Sequence, residues 1–334
     1  MFLKKIATSA VLAMSVAVPQ AFAQDITLKL GYVDKPTEPR GMGFARFAEL
    51  VPDYTDGRVA VELFDSGHLG NDREMFSQLL TGAIDMGKPS YPILSDVVPE
   101  MSVFLAGYFF DSYDDHLRLI AAPEFGGDWN ARLLDEAQLR IIGNSYQGVR
   151  NVTLNGIQPR SPADMAGIKL RAVPNPMALA VVSGLGANPT PVPFPELFQS
   201  LSQNVVDGQE NPLPTIWANK FYEVQDTLVR TDHQIASAPV VVNDASWQQL
   251  SVKDQEAITR ALTEAMDYAQ ELGVEMEAGL IEQLQEQGMT IVELTDEEKA
   301  AFIASVQASV IETFDGEAWP AGFAQSVIDF AAAE

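Results

Sequence analysis

Alternating apolar positions Ile26, Leu28 and Leu30 predict a strand over residues 25–32, and a polar turn with two prolines, residues 34–40, ends it. A short helix over 41–51 and a second alternating run, Val59, Val61 and Leu63 within 58–64, set the order strand, helix, strand. Asn71 followed three residues later by Glu74 spells a capping box for a helix over 72–80, and 83–87 reads as the next strand. Ser112 with Asp115 opens a further helix, residues 126–136 form another, and 139–146 and 149–154 read as strands at a crossing between two units. Ser161, Pro162 and Asp164 cap one helical turn that stops at Gly167. From there strand 168–173, helix 176–185, strand 189–193, helix 195–203 and strand 205–209 alternate as a second α/β unit.

The longest helical pattern covers 252–287, with Ile258, Leu262, Ala265, Ala269, Leu272, Met276, Leu280 and Leu284 three or four residues apart. At 1.5 Å per residue it reaches ~50 Å, longer than one domain of this size, so it can bridge both units, with a bend at Gly273 or Gly279. A last amphipathic helix, 296–314, places Phe302, Ile303, Val306, Val310 and Phe314 on one side. No repeat, low-complexity tract or flexible linker separates the halves, which points to units that exchange strands. The expected division is 24–147 plus 237–276 for the first unit and 148–236 plus 277–334 for the second. The fold class is therefore α/β, two domains joined by hinge strands and spanned by the long helix.

The first residues change where this fold operates. Lys4 and Lys5 precede an apolar stretch over 6–18 and an A-x-A site at Ala21, Phe22 and Ala23, the pattern of an export signal covering residues 1–23. That stretch is too short for a membrane helix, and no later run approaches ~20 uninterrupted apolar residues, so the expected product is exported, unanchored and periplasmic. The chain contains no cysteine, which excludes disulfides and a lipid-modified N-terminal cysteine. Residues 1–23 carry two lysines and no acid, so their removal takes the formal net charge from −25 to −27. Such a surface repels nucleic acid and anionic lipid, and a site for an anion must be a local basic pocket set against that field.

Catalytic and metal motifs are missing. There is no His-Glu-x-x-His, Gly-x-Ser-x-Gly, phosphate-binding loop or Cys-x-x-Cys, and His68, His116 and His233 are scattered, so neither a metal nor a cofactor is expected. Gly41 and Gly43 lack the third glycine of a dinucleotide fingerprint and read as helix-entry geometry. What remains is a set of polar residues at strand ends and helix starts. Arg171 closes the run Ile168, Lys169, Leu170 before a Pro174-Asn175-Pro176 turn, so its guanidinium should emerge near the mouth of a cleft; a planar, permanently charged fork there suits a carboxylate, as a surface ion pair also would. Arg150, two residues past Gly148, is either a ligand contact or a hinge ion pair. Asn211 precedes Pro212 and is held extended, with an amide able to donate and accept, though Asn before Pro is also a turn signal. Phe194 between two prolines is core or a platform for a ligand. Asp72 opens a helix where the dipole already favours a carboxylate. Lys35, Arg40 and Lys88 are further candidate cations.

The runs GIKLRAVPNP, GANPTPVPFPELFQSL and NVVDGQENPLPTIWANKFYEVQ, with ITLKLGY, SGHLGNDREMFSQLLTGAIDM and YQGVRNVTLN before them, resemble the DctP-type substrate-binding proteins of tripartite ATP-independent periplasmic (TRAP) transporters over nearly the whole mature chain. The resemblance implies a type II-like periplasmic binding fold, a helix spanning both domains, no catalysis, a small organic acid as ligand and the membrane permease subunits as partners. It implies an anion site of Arg171, Arg150 and Asn211, an aromatic over the ligand at Phe194, and a contact from Asp72 to ligand hydroxyls, with Lys35, Arg40 and Lys88 at positions where the family varies. The interval from Arg150 to Arg171 is about one residue longer than in some members. An acid at Asp72 among polar neighbours favours a sugar acid, a uronate or aldonate; a C4-dicarboxylate or keto acid is the alternative if Arg40 or Lys88 grips a second carboxylate. An exported sugar-acting enzyme and a module that presents its ligand to a sensor kinase are the readings from other classes, and a monomer is expected.

Overall fold

The computed structural model describes residues 26–333; the expected export signal and its cleavage site lie outside the described residues. The first unit runs β1 (Ile26–Gly31), α1 (Pro39–Tyr54), β2 (Val59–Phe64), α2 (Asp72–Thr81), β3 (Met86–Gly87), α3 (Tyr91–Leu94), α4 (Tyr113–Ala121) and α5 (Asp128–Ala137). A long strand, β4 (Leu139–Leu154), leads to β5 (Lys169–Ala172), α6 (Pro176–Gly184), β6 (Asn188–Pro191), α7 (Leu197–Ser202), β7 (Gly208–Pro212) and α8 (Leu213–Ala218). A second long strand, β8 (Thr227–Asn243), returns to the first unit and is followed by α9 (Asp244–Trp247), α10 (Val252–Glu286), β9 (Thr290–Val292), α11 (Asp296–Phe314) and α12 (Phe323–Ala332).

The nine strands among the described residues belong to one sheet in the order β2-β1-β3-β8-β4-β7-β5-β6, with β9 beside β8. The pairs β1–β2, β1–β3 and β5–β6 are parallel, as strand-helix-strand connections require. The long antiparallel pair β4–β8 runs through the centre, and its register shifts between Ile141 and Gly143, Tyr146 and Gly148, and Arg150 and Val152. The two strands expected at 139–146 and 149–154 are thus one strand with bulges, and a bulge bends a strand and redirects the side chains beyond it. Its partner β8 was legible only as the boundary between units expected at 236–237.

The sheet is covered on both faces. Along β8, Val240 and Val242 enter a core with Leu28, Leu30, Phe44, Phe47 and Ile258, whereas Val241 between them enters the opposite core with Leu139, Val181, Phe302 and Val306, the period-2 alternation of a strand buried on both sides. A third core collects Leu197, Leu201, Ile216, Phe221, Leu280 and Leu284 under the second unit. Helix α10 is 35 residues long, so ~52 Å, and serves two of these cores: Ile258, Leu262 and Ala265 pack in the first, Leu280 and Leu284 in the third. Its fit against α1 depends on glycine, since a Cβ on Gly43 would sit 2.7 Å from the Ala269 Cβ; one on Gly41 would lie 2.1 Å from the Lys35 carbonyl oxygen, so the helix-entry reading holds for Gly41 and Gly43 serves helix packing instead.

Two further elements depart from the expected pattern. Strand β7 begins at Gly208 rather than at 205, so Asn211 lies within the sheet, opposite Asn151. Helix α12 carried no expectation. It lies within the stretch assigned to the second unit, yet its Phe323 and Phe330 rings pack against Phe125 and Trp129, and Arg118 donates to the Ala331 carbonyl, all first-unit residues. The apolar positions of α12 cover a gap in the first unit that its own segment leaves open.

Candidate functional site

The parallel strands of both units direct their C-terminal ends, and the helix starts that follow them, toward a cavity of about 310 Å³. Chain connections leave sheets of this kind at those ends, so polar loops and helix N-termini gather there. The first unit contributes Asp34 after β1, Arg40 at the start of α1, Asp72 at the start of α2, and Lys88 and Ser90 after β3. The second contributes Arg171 from β5, Phe194 after β6, Glu210 and Asn211 from β7, Arg150 from β4 and Gln234 from β8, and the crossing strands β4 and β8 add Gln147 and Ser237 at the boundary. A larger groove of about 840 Å³ lies elsewhere, but both of its cations are already paired, Arg230 and Lys299 each meeting Asp232, at 3.3 and 3.1 Å. The smaller cavity differs: among the described residues, ten buried side-chain polar atoms lack a hydrogen-bond partner, and seven belong to residues lining it, one of which, Asp34 Oδ2, still meets the Lys88 ammonium in an ion pair at 3.0 Å. Buried polar groups left unpaired are costly, so their concentration in one cavity marks a place where a ligand supplies the partners.

Two of the seven are the terminal nitrogens of Arg171. The residue is 1 % exposed, its Nε donates to the Val192 carbonyl at 2.9 Å, and its guanidinium carbon lies 5.9 Å from the centre of the Phe194 ring. This single bond orients the fork and leaves Nη1 and Nη2 side by side, the geometry that receives both oxygens of a carboxylate. Burial pulls the guanidinium down to about 10 and nearby Arg150 adds to the effect, while Glu210 and Asp72 counter it. The sequence placed this group near the mouth of the cleft; it is the third residue of a four-residue strand and is fully buried.

Arg150 is committed to protein partners. Its Nε pairs with the Glu210 Oε2, and its Nη2 donates to Glu210 Oε1 at 2.8 Å, the Glu210 carbonyl at 2.6 Å and Asn211 Oδ1 at 3.1 Å. Burial would raise the Glu210 carboxyl, but Arg150 and the bond from His233 Nε2 at 3.2 Å outweigh it and hold the group at about 2. Arg150 thus forms an ion pair at the crossing strands, and it also lines the cavity. The Asn211 amide accepts from Arg150 and donates to Gln209 Oε1 at 2.5 Å, so it fixes the arginine at least as much as it faces the cavity. Behind this pair, Gly148 takes φ +121° at a bulge, and a Cβ there would lie 2.3 Å from Glu277 Oε1. Glu277, on α10, accepts from the Val149 amide at 3.3 Å, and burial lifts its carboxyl to about 7.

On the opposite wall, Asp34 links two cations, Arg40 through Oδ1 and Lys88 through Oδ2 at 3.0 Å. Burial would raise the Asp34 carboxyl; Arg40 and Lys88 together bring it below its ordinary value. Asp72 begins α2 behind an Asn71 cap that accepts from the Arg73 and Glu74 amides. The residue is half-buried, yet its Oδ1 is enclosed and unpaired, and burial pushes its carboxyl up against the pull of Lys88. Arg40 Nη1, Ser90 Oγ and Gln234 Nε2 are the other enclosed polar atoms without partners.

Of the eight residues singled out in the sequence, seven line the cavity. Lys35 does not: its ammonium donates to the Ala218 carbonyl at 3.1 Å, tying the turn after β1 to the end of α8. Asp34, Ser90, Gln147, Glu210, Gln234 and Ser237 were missed. Asp34 and Ser90 stand just beyond strands and were open to the same strand-end argument as Arg171. Gln234 and Ser237 lie inside a strand the pattern did not reveal.

A two-unit α/β protein that aims an unpaired arginine fork into a cavity between its units, with no metal-holding cluster among the described residues, has the build of a receptor for a small organic anion. The chain belongs to the DctP family, bacterial extracellular solute-binding protein, family 7, which it matches over residues 30–317. This makes it a solute-binding protein of the TRAP transporter type and not an enzyme. It is 32 % identical to a TRAP periplasmic solute-binding protein of Roseobacter denitrificans solved with bound L-galactonate, with a TM-score of 0.83 over 91 % of this chain and 99 % of that one. It is 30 % identical to the 2,3-diketo-L-gulonate-binding periplasmic protein of Escherichia coli, over 86 % of this chain and 87 % of that protein, and 31 % identical to the C4-dicarboxylate-binding periplasmic protein of Rhodobacter capsulatus, over 87 % of each.

Proposed function

We propose that the protein captures a sugar acid, a uronate or aldonate, in the periplasm and hands it as a monomer to the membrane permease of a TRAP transporter. The observation that carries this reading is the pair of buried, unpartnered Arg171 nitrogens facing a cavity whose far wall offers Arg40 Nη1 as donor, Asp72 Oδ1 as acceptor and Ser90 Oγ as both. A carboxylate satisfies the first, and a row of hydroxyls, each able to donate and accept, satisfies the others. A volume of about 310 Å³ suits a small ligand. The relatives that bind L-galactonate and 2,3-diketo-L-gulonate support the same class.

In this reading Arg171 grips the carboxylate while Arg150, fixed by Glu210 and Asn211, lends its field and its free edge. Phe194 lies against the guanidinium and covers the anion from water. Because Asp72 and Arg40 come from one unit and Arg171 from the other, a ligand bound to both walls stabilises the arrangement that brings them together. A thermal-shift screen over an organic-acid library tests the proposal. Aldonates or uronates should raise the melting temperature, and a library in which only neutral sugars or amino acids do so would refute it.

A further inference from the structure

Arg40 and Lys88 are the two cations that would hold a second carboxylate at the far end of the cavity, and both are already engaged. Asp34 lies between them, 3 % exposed, with Oδ1 on the arginine and Oδ2 3.0 Å from the ammonium. Asp72, with its enclosed Oδ1, adds a second acid to the same wall. Around the buried part of the cavity the cations are Arg40, Lys88, Arg150 and Arg171 and the acids are Asp34, Asp72 and Glu210; Arg73, at the rim, is half-exposed and paired with Asp96 at 2.5 Å. Three of the four cations therefore have an acid to match, and Arg171 alone is left over.

We infer that Asp34 is a specificity residue that sets the site for a ligand with one negative charge, so that a monocarboxylic sugar acid is accepted and the dicarboxylic acid of the same carbon chain is rejected. This rests on the sugar-acid reading and narrows it. A second carboxylate at the far wall would face Asp34 and Asp72 at short range in a buried site, where like charges are poorly screened and desolvation is uncompensated. A terminal hydroxyl at the same place can donate to Asp72 and accept from Arg40 Nη1, two of the three unpaired atoms there. Glu38 does not alter the balance at the wall. It lies off the cavity, accepting from Thr215 at 2.8 Å and Asn219 at 3.1 Å, and burial and the Asp34 charge push it toward its neutral form. Of the groups at the far wall, Asp72 is the one already displaced toward protonation by burial. A dicarboxylate forced into the site therefore binds with uptake of a proton.

The experiment is titration calorimetry of the full mature protein with galactonate and galactarate, six-carbon acids with one and two carboxylates, repeated in buffers of different ionisation enthalpy. Wild type should bind galactonate at least ~100-fold more tightly, and any galactarate binding should take up about one proton. Asp34→Asn, which keeps the shape and frees positive charge at the far wall, should narrow or invert that preference and remove the proton uptake. Should the variant fail to fold, the wild-type preference and proton count still decide. Galactarate bound as tightly as galactonate with no proton uptake overturns the role of Asp34 and leaves the organic-acid receptor standing. Tight binding of a C4-dicarboxylate with no response to any sugar acid overturns both.

Discussion

Replacing Arg171 with methionine should move affinity and stability in opposite directions, and both magnitudes follow from its surroundings. The two unpartnered nitrogens are available for two charge-assisted hydrogen bonds to a carboxylate, each worth ~1.5–3 kcal/mol net. Losing both leaves the anion buried without its counter-charge, so the expected cost is ~3–5 kcal/mol, or roughly 10²- to 10⁴-fold in Kd. The ligand-free protein should respond in the other sense. Burial brings the guanidinium from 12.5 down to about 10, a measure of how much the folded state disfavours this charge. That displacement corresponds to ~3 kcal/mol, carried in full at neutral pH and relieved only as pH rises past the folded value. An apolar side chain of similar length removes the penalty and keeps the packing, so the variant should be more stable by ~1–3 kcal/mol, a rise in Tm of about 2–6 °C. Calorimetric titration measures the first effect and differential scanning calorimetry without ligand the second. Arg171→Lys should recover part of the affinity, because an ammonium cannot match both oxygens. Binding within about threefold of wild type, or a ligand-free methionine variant less stable than wild type, would refute the argument that this arginine is held in an unfavourable state for the sake of the anion.

Asp72→Asn keeps the size of the side chain and removes its charge; a sugar acid should lose ~1–3 kcal/mol of binding and a carboxylate without the matching hydroxyl should lose little, so equal losses in a calorimetric comparison would contradict the assigned contact. Glu277, lifted by burial to about 7 from an ordinary 4.5, is disfavoured when ionised, so its cost is absent below pH 4.5 and complete above pH 7. Glu277→Gln keeps the acceptor for the Val149 amide and should match wild type near pH 4.5 but exceed it by ~1–2 kcal/mol at pH 8 in melts at both values; equal stability at pH 8 would mean the carboxylate is better hydrated than its setting implies. Saturating sugar acid should reduce the radius of gyration in small-angle scattering, and Arg171→Met at the same ligand concentration should not respond; an unchanged wild-type profile with binding confirmed would indicate a rigid, preformed site.

Elements with a strong local signature were legible in the sequence. The Asn71–Glu74 capping box, the three- and four-residue spacing along α10 and the alternation in β1 and β2 each state their structure within a dozen residues, and the observed boundaries follow them closely. Strand β8 did not announce itself. Its run TLVRTDHQIASAPVVVN mixes polar residues into positions buried on both faces, because its middle forms the floor of the cavity while its C-terminal end is ordinary core. Gln234 and Ser237 were lost for that reason: a polar residue in a functional floor breaks the periodicity that would have revealed its strand. Glu210 was hidden differently. In DGQENP it alternates with Asn211 as any surface acid would, and only the register of β7 against β4, which places it beside Arg150, turns it into the partner of a buried arginine.

Distance reconciles the formal charge of −25 with the arginine site. At physiological salt the Debye length is ~8 Å, so the surface acids act on an approaching anion weakly and only close to the protein. Inside the cavity screening by ions is largely absent, and Arg171, Arg150, Arg40 and Lys88 act at hydrogen-bond range against three acids. Two of these acids keep the cationic cluster from repelling itself: Glu210 holds Arg150 close to Arg171, and Asp34 holds Arg40 and Lys88 together. Recognition of one negative charge therefore does not require a basic protein. It requires one cation more than the local acids can match, enclosed deeply enough that the outer field does not reach it.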